Sequence, residues 1–359
     1  MLSHTPSLSD ESWFTREGPD QDVVISTRCR LSRNLSGIPF PPAAGREEQI
    51  AVFKTIESAL YEAKELFVTV DQGQADELER QCYRERNLLP PPRKGQHLEA
   101  AAFIREDEAA AVQVWDRDHL KIVSLVPGLA TLQGYGMCDT IDSHLERYLD
   151  YAVSLRLGYL TSEIDNAGSG LRGSLMLHLP VLEHNGKLSE AMQEVDTQGV
   201  KLEAFPGSEH ISKGSIYIIS NRTGFGRGDE ETLALLEENA RVLLHYEREA
   251  RAELVSRHGD EMQDSAYRAL GILRHSRSVG ATEAYDLVST VRLGVAAGLV
   301  NEVPVEDVTA LFVLLQEGHV KQAHRAHSEE TNQTDALSKW RASAARAWLD
   351  ERLGGMLNV

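Results

Sequence analysis

The residues able to do chemistry in this chain are a set of cations in unusual surroundings. Arg28, Arg30 and Arg33 recur at short intervals in a run that begins strand-like at Val23. Lys121 follows a short charged turn at the start of a second strand-like run. Arg172 follows the glycine-rich residues 166–170 with Leu171 between, and Arg222 and Arg227 flank glycines after a third apolar run. Glycines let backbone N–H groups approach a ligand, and guanidinium groups grip phosphate oxygens with paired hydrogen bonds. Arginines at strand ends beside glycines therefore suit a polyphosphate. Any one of them alone is better explained as a surface arginine with a carboxylate neighbour.

Patterns for other chemistries are missing. The sequence has no GxxxxGK[ST] phosphate loop, no GxSxG elbow, no HExxH and no GxGxxG after a strand. His319, His324 and His327 lie close together but without carboxylate or thiol company, so they read as a solvated helix face and no metal site is assigned. Cys29, Cys82 and Cys138 are an odd, scattered set, which is neither a disulfide framework nor a zinc site and suits a reducing compartment.

The cations must be positioned by a sheet. Residues 101–104, 111–114 and 120–124 are short apolar or alternating runs joined by short charged connectors, which leave no room for crossover helices and predict antiparallel neighbours. Residues 23–27, 175–182 and 215–220 are further strand candidates, with Arg28, Arg30 and Arg33 at the end of the first. Helical spacing covers residues 46–66, with Ile50, Phe53, Ile56, Leu60 and Ala63 on one face, and residues 142–157, with Leu145, Leu149, Ala152 and Leu155 near one stripe. Asp229, Glu230 and Glu231 open a long helix, their charges suiting the positive end of its dipole. Thr282 reads as the N-cap of a later helix bearing Ala284, Leu287, Val288, Val291 and Val295 on one face.

The 359 residues carry 37 Lys+Arg against 55 Asp+Glu, a net charge of −18, which argues against nucleic acid as the main partner and against an anionic membrane surface. A small anion needs only a local cluster of arginines and is not excluded. The polar first ten residues lack a signal-peptide pattern, and the apolar stretch at 293–300 is far short of a membrane span, so a cytoplasmic protein is expected. The texture changes from about Met262 onward, and a boundary is expected near residues 257–259. The expected organisation is a loose arm at 1–20, a catalytic unit at 21–257 and a small helical domain at 258–359.

Taken in order, these pieces resemble a known family. The run STRCRLSRNL at 26–35 resembles the SSRIRLARN segment of the bacterial protein-arginine kinases, a branch of the ATP:guanidino phosphotransferase (phosphagen kinase) family. Residues 118–122 resemble the end of the family's NEEDHLRI segment, residues 160–180 resemble LTSCPTNxGTGLRASVMLHLP, and residues 219–226 resemble SNxxxxG. Residues 267–273 and 291–294 are similar to the helical domain peculiar to the protein-arginine kinase branch. The resemblance implies an α+β fold, an antiparallel sheet flanked by helices and followed by an all-helical C-terminal domain. It implies ATP, with Mg²⁺ carried by the nucleotide, and transfer of the γ-phosphoryl to a guanidinium nitrogen. The acceptor would be a protein arginine or a small guanidino compound, and the helical domain would mediate self-association. Carried over by position, Arg28 and Arg30 would hold nucleotide phosphates, Arg172 would clamp the transferring phosphoryl, Lys121 would stand for a phosphate-binding arginine, and Lys201 and Arg222 would complete the nucleotide set.

The departures sit at the chemical centre. Where the family has NEEDH this chain has WDRDH at 115–119, so Arg117 replaces a glutamate that holds the substrate guanidinium. Glu163 replaces the family cysteine that also touches it, and Asn87 replaces a histidine. The family's phosphoarginine pocket motif, RDxxRA, is not recognisable at 341–346. Three readings stay open. Glu163, with Asp116, supplies the missing carboxylate of an active enzyme. Alternatively, Arg117 pairs with Glu163 and occupies the substrate's place, leaving a nucleotide-binding pseudokinase. In the third, the chain is a non-catalytic oligomeric adaptor. A purely structural Arg117 and Glu163 is the plainest account of those two residues.

Overall fold

The computed structural model describes residues 12–62, 67–70, 75–91, 101–205, 213–223, 226–325 and 334–353. In chain order the elements are β1 (Val24–Arg33), α1 (Arg46–Glu62), β2 (Phe67–Val70), α2 (Glu77–Glu85), β3 (Ala101–Arg105), β4 (Ala110–Val114), β5 (Leu120–Pro127) and α3 (Thr131–Leu145). There follow the two-residue strands β6 (Val153–Ser154) and β7 (Gly158–Tyr159), then β8 (Leu171–His178), the short helices α4 (Pro180–His184) and α5 (Leu188–Ala191), β9 (Val200–Ala204) and β10 (Ile216–Asn221). The chain continues as α6 (Asp229–His275), α7 (Ala281–Ala296), α8 (Val305–Leu314), α9 (Glu317–His324) and α10 (Thr334–Leu353).

Eight strands form one antiparallel sheet in the order β2-β3-β4-β5-β1-β8-β10-β9. Side chains alternate across a strand, so the ten residues of β1 face two environments. Cys29 and Leu31 enter a core with Leu120, Ile122 and Leu171, covered by α1 and α3, while α6 closes a neighbouring core over Leu175 and Ile219. Arg28 and Arg30 face the other side. There α2 and the helices after α6 pack over Ala102, Ile104, Ala111 and Leu125 and leave the rest of that face open.

Several expectations are corrected by packing. Arg28 and Arg30 lie within β1 rather than at its end, because the strand runs on to Arg33. The helix expected at 142–157 is instead α3, ending at Leu145; Leu155 is fully exposed on the β6–β7 hairpin. Gly134 and Gly136 hide the true start of α3 from a propensity reading. Gly134 is small for a reason: a Cβ there would meet Cys29 Sγ and Ser124 Oγ at 3.2 Å. Ile50 is 41% exposed while Val52, Ile56 and Leu60 form the buried face of α1, and Ala63 lies outside the described residues. Gly280, not Thr282, caps α7. Residues 12–20, expected in a loose arm, are packed, with Trp13 and Phe14 buried in the core beside Leu125. The strands β2 and β9 were not foreseen. The expected boundary at 257–259 coincides with a break within α6, where His258 has φ −136° and ψ 30°.

Arg33, three residues on from Arg30 and therefore of opposite parity, is a core residue. Its Nη2 lies 2.5 Å from Asp142 Oδ2, Nη1 donates to the carbonyls of Ser32 and Ser169, and its guanidinium stacks 3.6 Å from the Tyr159 ring centroid. Removing one partner of a buried pair strands the other charge, so Asp142→Ala is expected to cost about 3–5 kcal/mol of stability, read as a lower urea midpoint at unchanged slope.

The sheet and the C-terminal helices meet at α2 and α9. His319, expected on a solvated helix face, is buried there: Nδ1 is 2.7 Å from Glu85 Oε2, and Arg86 Nε donates to Nε2 at 2.9 Å. Glu85 also accepts the N–H groups of Gly318 and His319 at the start of α9, and Arg86 pairs with Glu108. His324 stacks on Trp340, and His327 lies outside the described residues. Burial, opposed by Glu85 and reinforced by Arg86, holds the His319 imidazole below its usual range. The unfolded chain then binds the proton more readily than the folded one, so stability from this junction is present above about pH 6.5 and falls as pH drops below it. The fall in urea midpoint between pH 7.5 and 5.5 is expected to be smaller in His319→Gln than in the parent.

Candidate active site

The open face of the sheet gathers the cations. Arg30 pairs in register with Arg172 across β1 and β8, Arg28 with Ser174, and Lys121 with Ser32 across β5. On the far side Ser220 of β10 is opposite both Ser174 and Lys201. Registered partners share a face, so Arg28, Arg30, Arg172, Lys121 and Lys201 all project from one surface.

Three of these guanidiniums are poorly compensated. Among the described residues, none of Arg28, Arg30 and Arg172 forms an ion pair with a carboxylate. Burial, with Arg172 nearby, pushes the Arg28 guanidinium down to about 10. Arg30 is driven down further, first by burial and then by Arg28 and Arg172, and its buried Nε has no hydrogen-bond partner among the described residues. Arg172 is lowered by burial and by Arg117, while Glu203 and Asp165 oppose the shift; its Nη2 reaches Ser220 Oγ at 3.4 Å. A face that holds desolvated, mutually repelling cations is built for an anion of several charges.

The neighbouring residues divide by role. Lys121 Nζ is 2.6 Å from Asp116 Oδ2, both largely buried, and burial still lowers the lysine. Asp116 thus has one oxygen committed to Lys121 and acts electrostatically on Arg30. Lys201 shares the face but bonds Glu203 at 2.7 Å. Arg222 is exposed, and its Nε donates to the carbonyls of Thr197 and Val200, clamping the entry to β9. Arg227 pairs loosely with Glu231 at 3.9 Å. The site therefore brings together Arg28, Arg30, Arg172 and Lys121, with Asp116 beside them, whereas the recorded contacts of Lys201 and Arg222 are to a neighbouring acid and to backbone.

The turn at 115–119 is tied to its neighbours by buried hydrogen bonds. Asp118 Oδ1 accepts from Asn34 Nδ2 at 2.8 Å and from the Ser162 N–H at 2.6 Å. His119 is fully buried, and its Nδ1 accepts the Leu35 N–H, which places the ring proton on Nε2 facing the Pro39 carbonyl. Asp118 thereby joins the 115–119 turn to the 160–166 loop. Those two loops carry Arg117 and Glu163, whose side chains are in ion-pair contact at the edge of the cation face. Glu163 Oε2 also accepts from Asn166 Nδ2 at 3.1 Å. The pair is half open to solvent, with side-chain exposures of 50% for Arg117 and 32% for Glu163.

Asn87, noted in the sequence only as a departure from the family's histidine and given no role there, is a neighbour of the site. It follows α2 with φ +64°, and its Oδ1 accepts from Arg28 Nη1 at 3.2 Å. Asn is one of the few residues that tolerates that backbone region, which was the available signal. Among the described residues no group of three or more His, Cys, Asp or Glu is arranged to hold a metal, and no helix is long and apolar enough to cross a membrane.

Comparisons with known proteins agree with this geometry. The family described as ATP:guanido phosphotransferase, C-terminal catalytic domain, matches residues 50–250, and the protein-arginine kinase McsB C-terminal domain matches residues 259–353. The chain is 32% identical over 320 residues to a protein-arginine kinase of Pelotomaculum thermopropionicum, covering 88% of this chain and 90% of that one. It is 33% identical over 318 residues to that of Desulforamulus reducens, covering 87% and 89%. In three dimensions it is similar to the duplicated taurocyamine kinase from Schistosoma mansoni with bound transition state analog components (TM-score 0.57, 22% identity, 67% of this chain and 36% of that one). It is similar also to lombricine kinase (TM-score 0.56, 21% identity, 65% and 68%). The structural likenesses, which span about two thirds of the chain, speak for its α+β fold, and the helical C-terminal region is seen in the structure itself. With sequence likeness running through both parts of the chain, this protein belongs to the ATP:guanido phosphotransferase family, in its protein-arginine kinase branch.

Proposed function

We propose that the chain transfers the γ-phosphoryl group of ATP to a guanidinium nitrogen of a protein arginine. The observation that carries this reading is the set of three guanidiniums, Arg28, Arg30 and Arg172, on one sheet face with no carboxylate ion pair among the described residues. A nucleotide polyphosphate supplies the missing negative charge, and Mg²⁺ rides in on its phosphates. Arg28 and Arg30, with Lys121, hold the phosphates. Arg172, on the same face and within the electrostatic reach of Arg117, is assigned the transferring phosphoryl in this reading. The bond from the γ-phosphorus to the bridging oxygen breaks, a nitrogen–phosphorus bond forms, and the guanidinium proton passes to Glu163 or to water. Such transfers depend on positioning and charge neutralisation more than on a strong base. The helical C-terminal region, matched by the McsB domain, favours a protein acceptor over a free metabolite.

A second reading is favoured by one specific contact. Arg117 pairs with Glu163, so a guanidinium of the chain's own occupies the carboxylate an acceptor would need. In that case the protein binds nucleotide and does not turn it over.

Phosphoryl transfer from γ-labelled MgATP to an arginine-rich unfolded protein, and to free arginine, separates these readings. Acid-labile label on the protein acceptor is expected. Nucleotide binding without label on either acceptor supports the self-occupied pocket, and absence of nucleotide binding removes both.

A further inference from the structure

Asn87 sits where two parts of the molecule meet. Its side chain touches Arg28, on the open cation face. The two residues before it, Glu85 and Arg86, are held by the C-terminal helices. Glu85 accepts both N–H groups that open α9 and the His319 imidazole, and Arg86 bonds His319 on one side and Glu108 on the other. Arg86 is 1% exposed, so this short stretch has little freedom to shift. The backbone then turns through a left-handed residue at Asn87 and returns into the core at Leu88 and Leu89. The carboxamide oxygen is therefore aimed at Arg28 by a segment whose preceding residues are fastened to α9.

Arg28 needs such an anchor. Its guanidinium is repelled by Arg172, and Asn87 Oδ1 is the one side-chain acceptor recorded for it among the described residues. A neutral acceptor can hold an arginine in place without cancelling the charge an anion must find, which a carboxylate could not do. Beside this contact Leu125, Met176 and Ile218 line a narrow slot. Leu125 belongs to the core shared with the C-terminal helices, and Met176 packs against it.

We propose that Asn87 is a positioning residue for Arg28, and that the C-terminal helices set its position through the contact of His319 with Glu85 and Arg86. This deepens the proposed function and rests on Arg28 being a nucleotide cation. Docking of α9 on α2 then governs nucleotide affinity from outside the nucleotide site. Anything that loosens α9 loosens the grip on ATP.

The test measures nucleotide affinity by calorimetric titration with MgADP, and steady-state constants for MgATP and acceptor, in the full chain. Asn87→Gly keeps the left-handed backbone and removes the acceptor. It is expected to weaken MgADP about tenfold, the scale of one charge-assisted hydrogen bond, and to raise the KM for ATP while leaving that for the acceptor unchanged. His319→Leu, checked for folding by its melting curve, is expected to weaken MgADP in the same direction. The double variant is expected to be no worse than the weaker single, because both act through one contact. Unchanged affinity in Asn87→Gly overturns the proposal, and full additivity in the double variant overturns the link to α9. Arg28→Ala separates the two levels: if it binds MgADP as tightly as the parent, the reading of Arg28 as a nucleotide cation fails. If Arg28→Ala loses binding and Asn87→Gly does not, that reading stands and the positioning role fails.

Discussion

Arg30→Met is expected to raise the melting temperature of the nucleotide-free protein and to abolish its response to nucleotide. The two effects have one cause. Arg30 is desolvated, lies among Arg28 and Arg172, and carries a buried Nε without a partner among the described residues. Asp116 offsets this charge only in part, and relieving a desolvated, poorly compensated charge by an apolar side chain of similar length stabilises a fold by on the order of 1–3 kcal/mol. Methionine is unbranched and follows the same path over the sheet. With nucleotide the balance reverses. Parent protein gains stability as ligand concentration passes its Kd, because only the folded state binds. Arg30→Met is expected to lose about 100-fold or more in affinity, the scale on which preorganised donors to a phosphoryl group are felt, and to show no rise in melting temperature with MgADP. Scanning calorimetry with and without MgADP reads both signs. A variant less stable than its parent without nucleotide would sink the claim that this face is held charged for a ligand. Arg33→Met supplies the contrast. Its guanidinium is paired with Asp142 and bonded to two carbonyls, so the same substitution is expected to destabilise with or without nucleotide.

That contrast also shows what could be read in the residues alone. Arg28, Arg30 and Arg33 look alike as letters, and parity along one strand separates them. Arg28 and Arg30 share the open face, while Arg33 turns into the core. The parity was hidden because β1 reads as apolar only to Thr27, although the strand continues through alternating cations that a half-open sheet tolerates. The β3–β5 meander was plain, since its short connectors admit only antiparallel pairing. Residues whose meaning depends on distant partners were not plain. His319 resembles a surface histidine until Glu85, 234 positions away in the chain, is brought against it. Asn87 stands out in the sequence only as a replacement for a histidine, and its contact with Arg28 depends on a left-handed backbone that a sequence does not display. Lys201 and Arg222 share the cationic character of the site residues, but their recorded partners lie close at hand, at Glu203 and on backbone carbonyls, and composition cannot distinguish a paired cation from an unpaired one.

Glu163→Gln is expected to lower kcat/KM for the guanidino acceptor about 100-fold, and Arg117→Ala to raise it about fivefold. The asymmetry follows from exposure. If Arg117 sealed the pocket, its pair with Glu163 would have to be worth several kcal/mol, as buried pairs are when one partner is removed. The side chains are instead 50% and 32% exposed, and pairs this open to water contribute no more than about 1 kcal/mol. An energy of that size reduces acceptor binding about fivefold and cannot abolish it. The incoming guanidinium offers Glu163 the same charge as Arg117, and a protein acceptor adds contacts of its own. Under the proposed function Arg117 is therefore expected to act as a weak competitor for Glu163 that sets a threshold for acceptor affinity. Glu163 itself has no substitute in the turn: Asp116 has an oxygen bonded to Lys121, and Asp118 is buried between Asn34 and Ser162. Losing the carboxylate that faces a guanidinium leaves that cation unpaired in the transition state, a cost of the 100-fold order. Arg117→Glu restores a second acid beside Glu163 and is expected to exceed Arg117→Ala. Initial rates of N-phosphate formation across acceptor concentration measure all three. A rise in rate with Glu163→Gln, or a fall with Arg117→Ala, would reverse the roles assigned here: Arg117 would then be the residue that serves the reaction, stabilising the transferring phosphoryl beside Arg172, and Glu163 the one that restrains it.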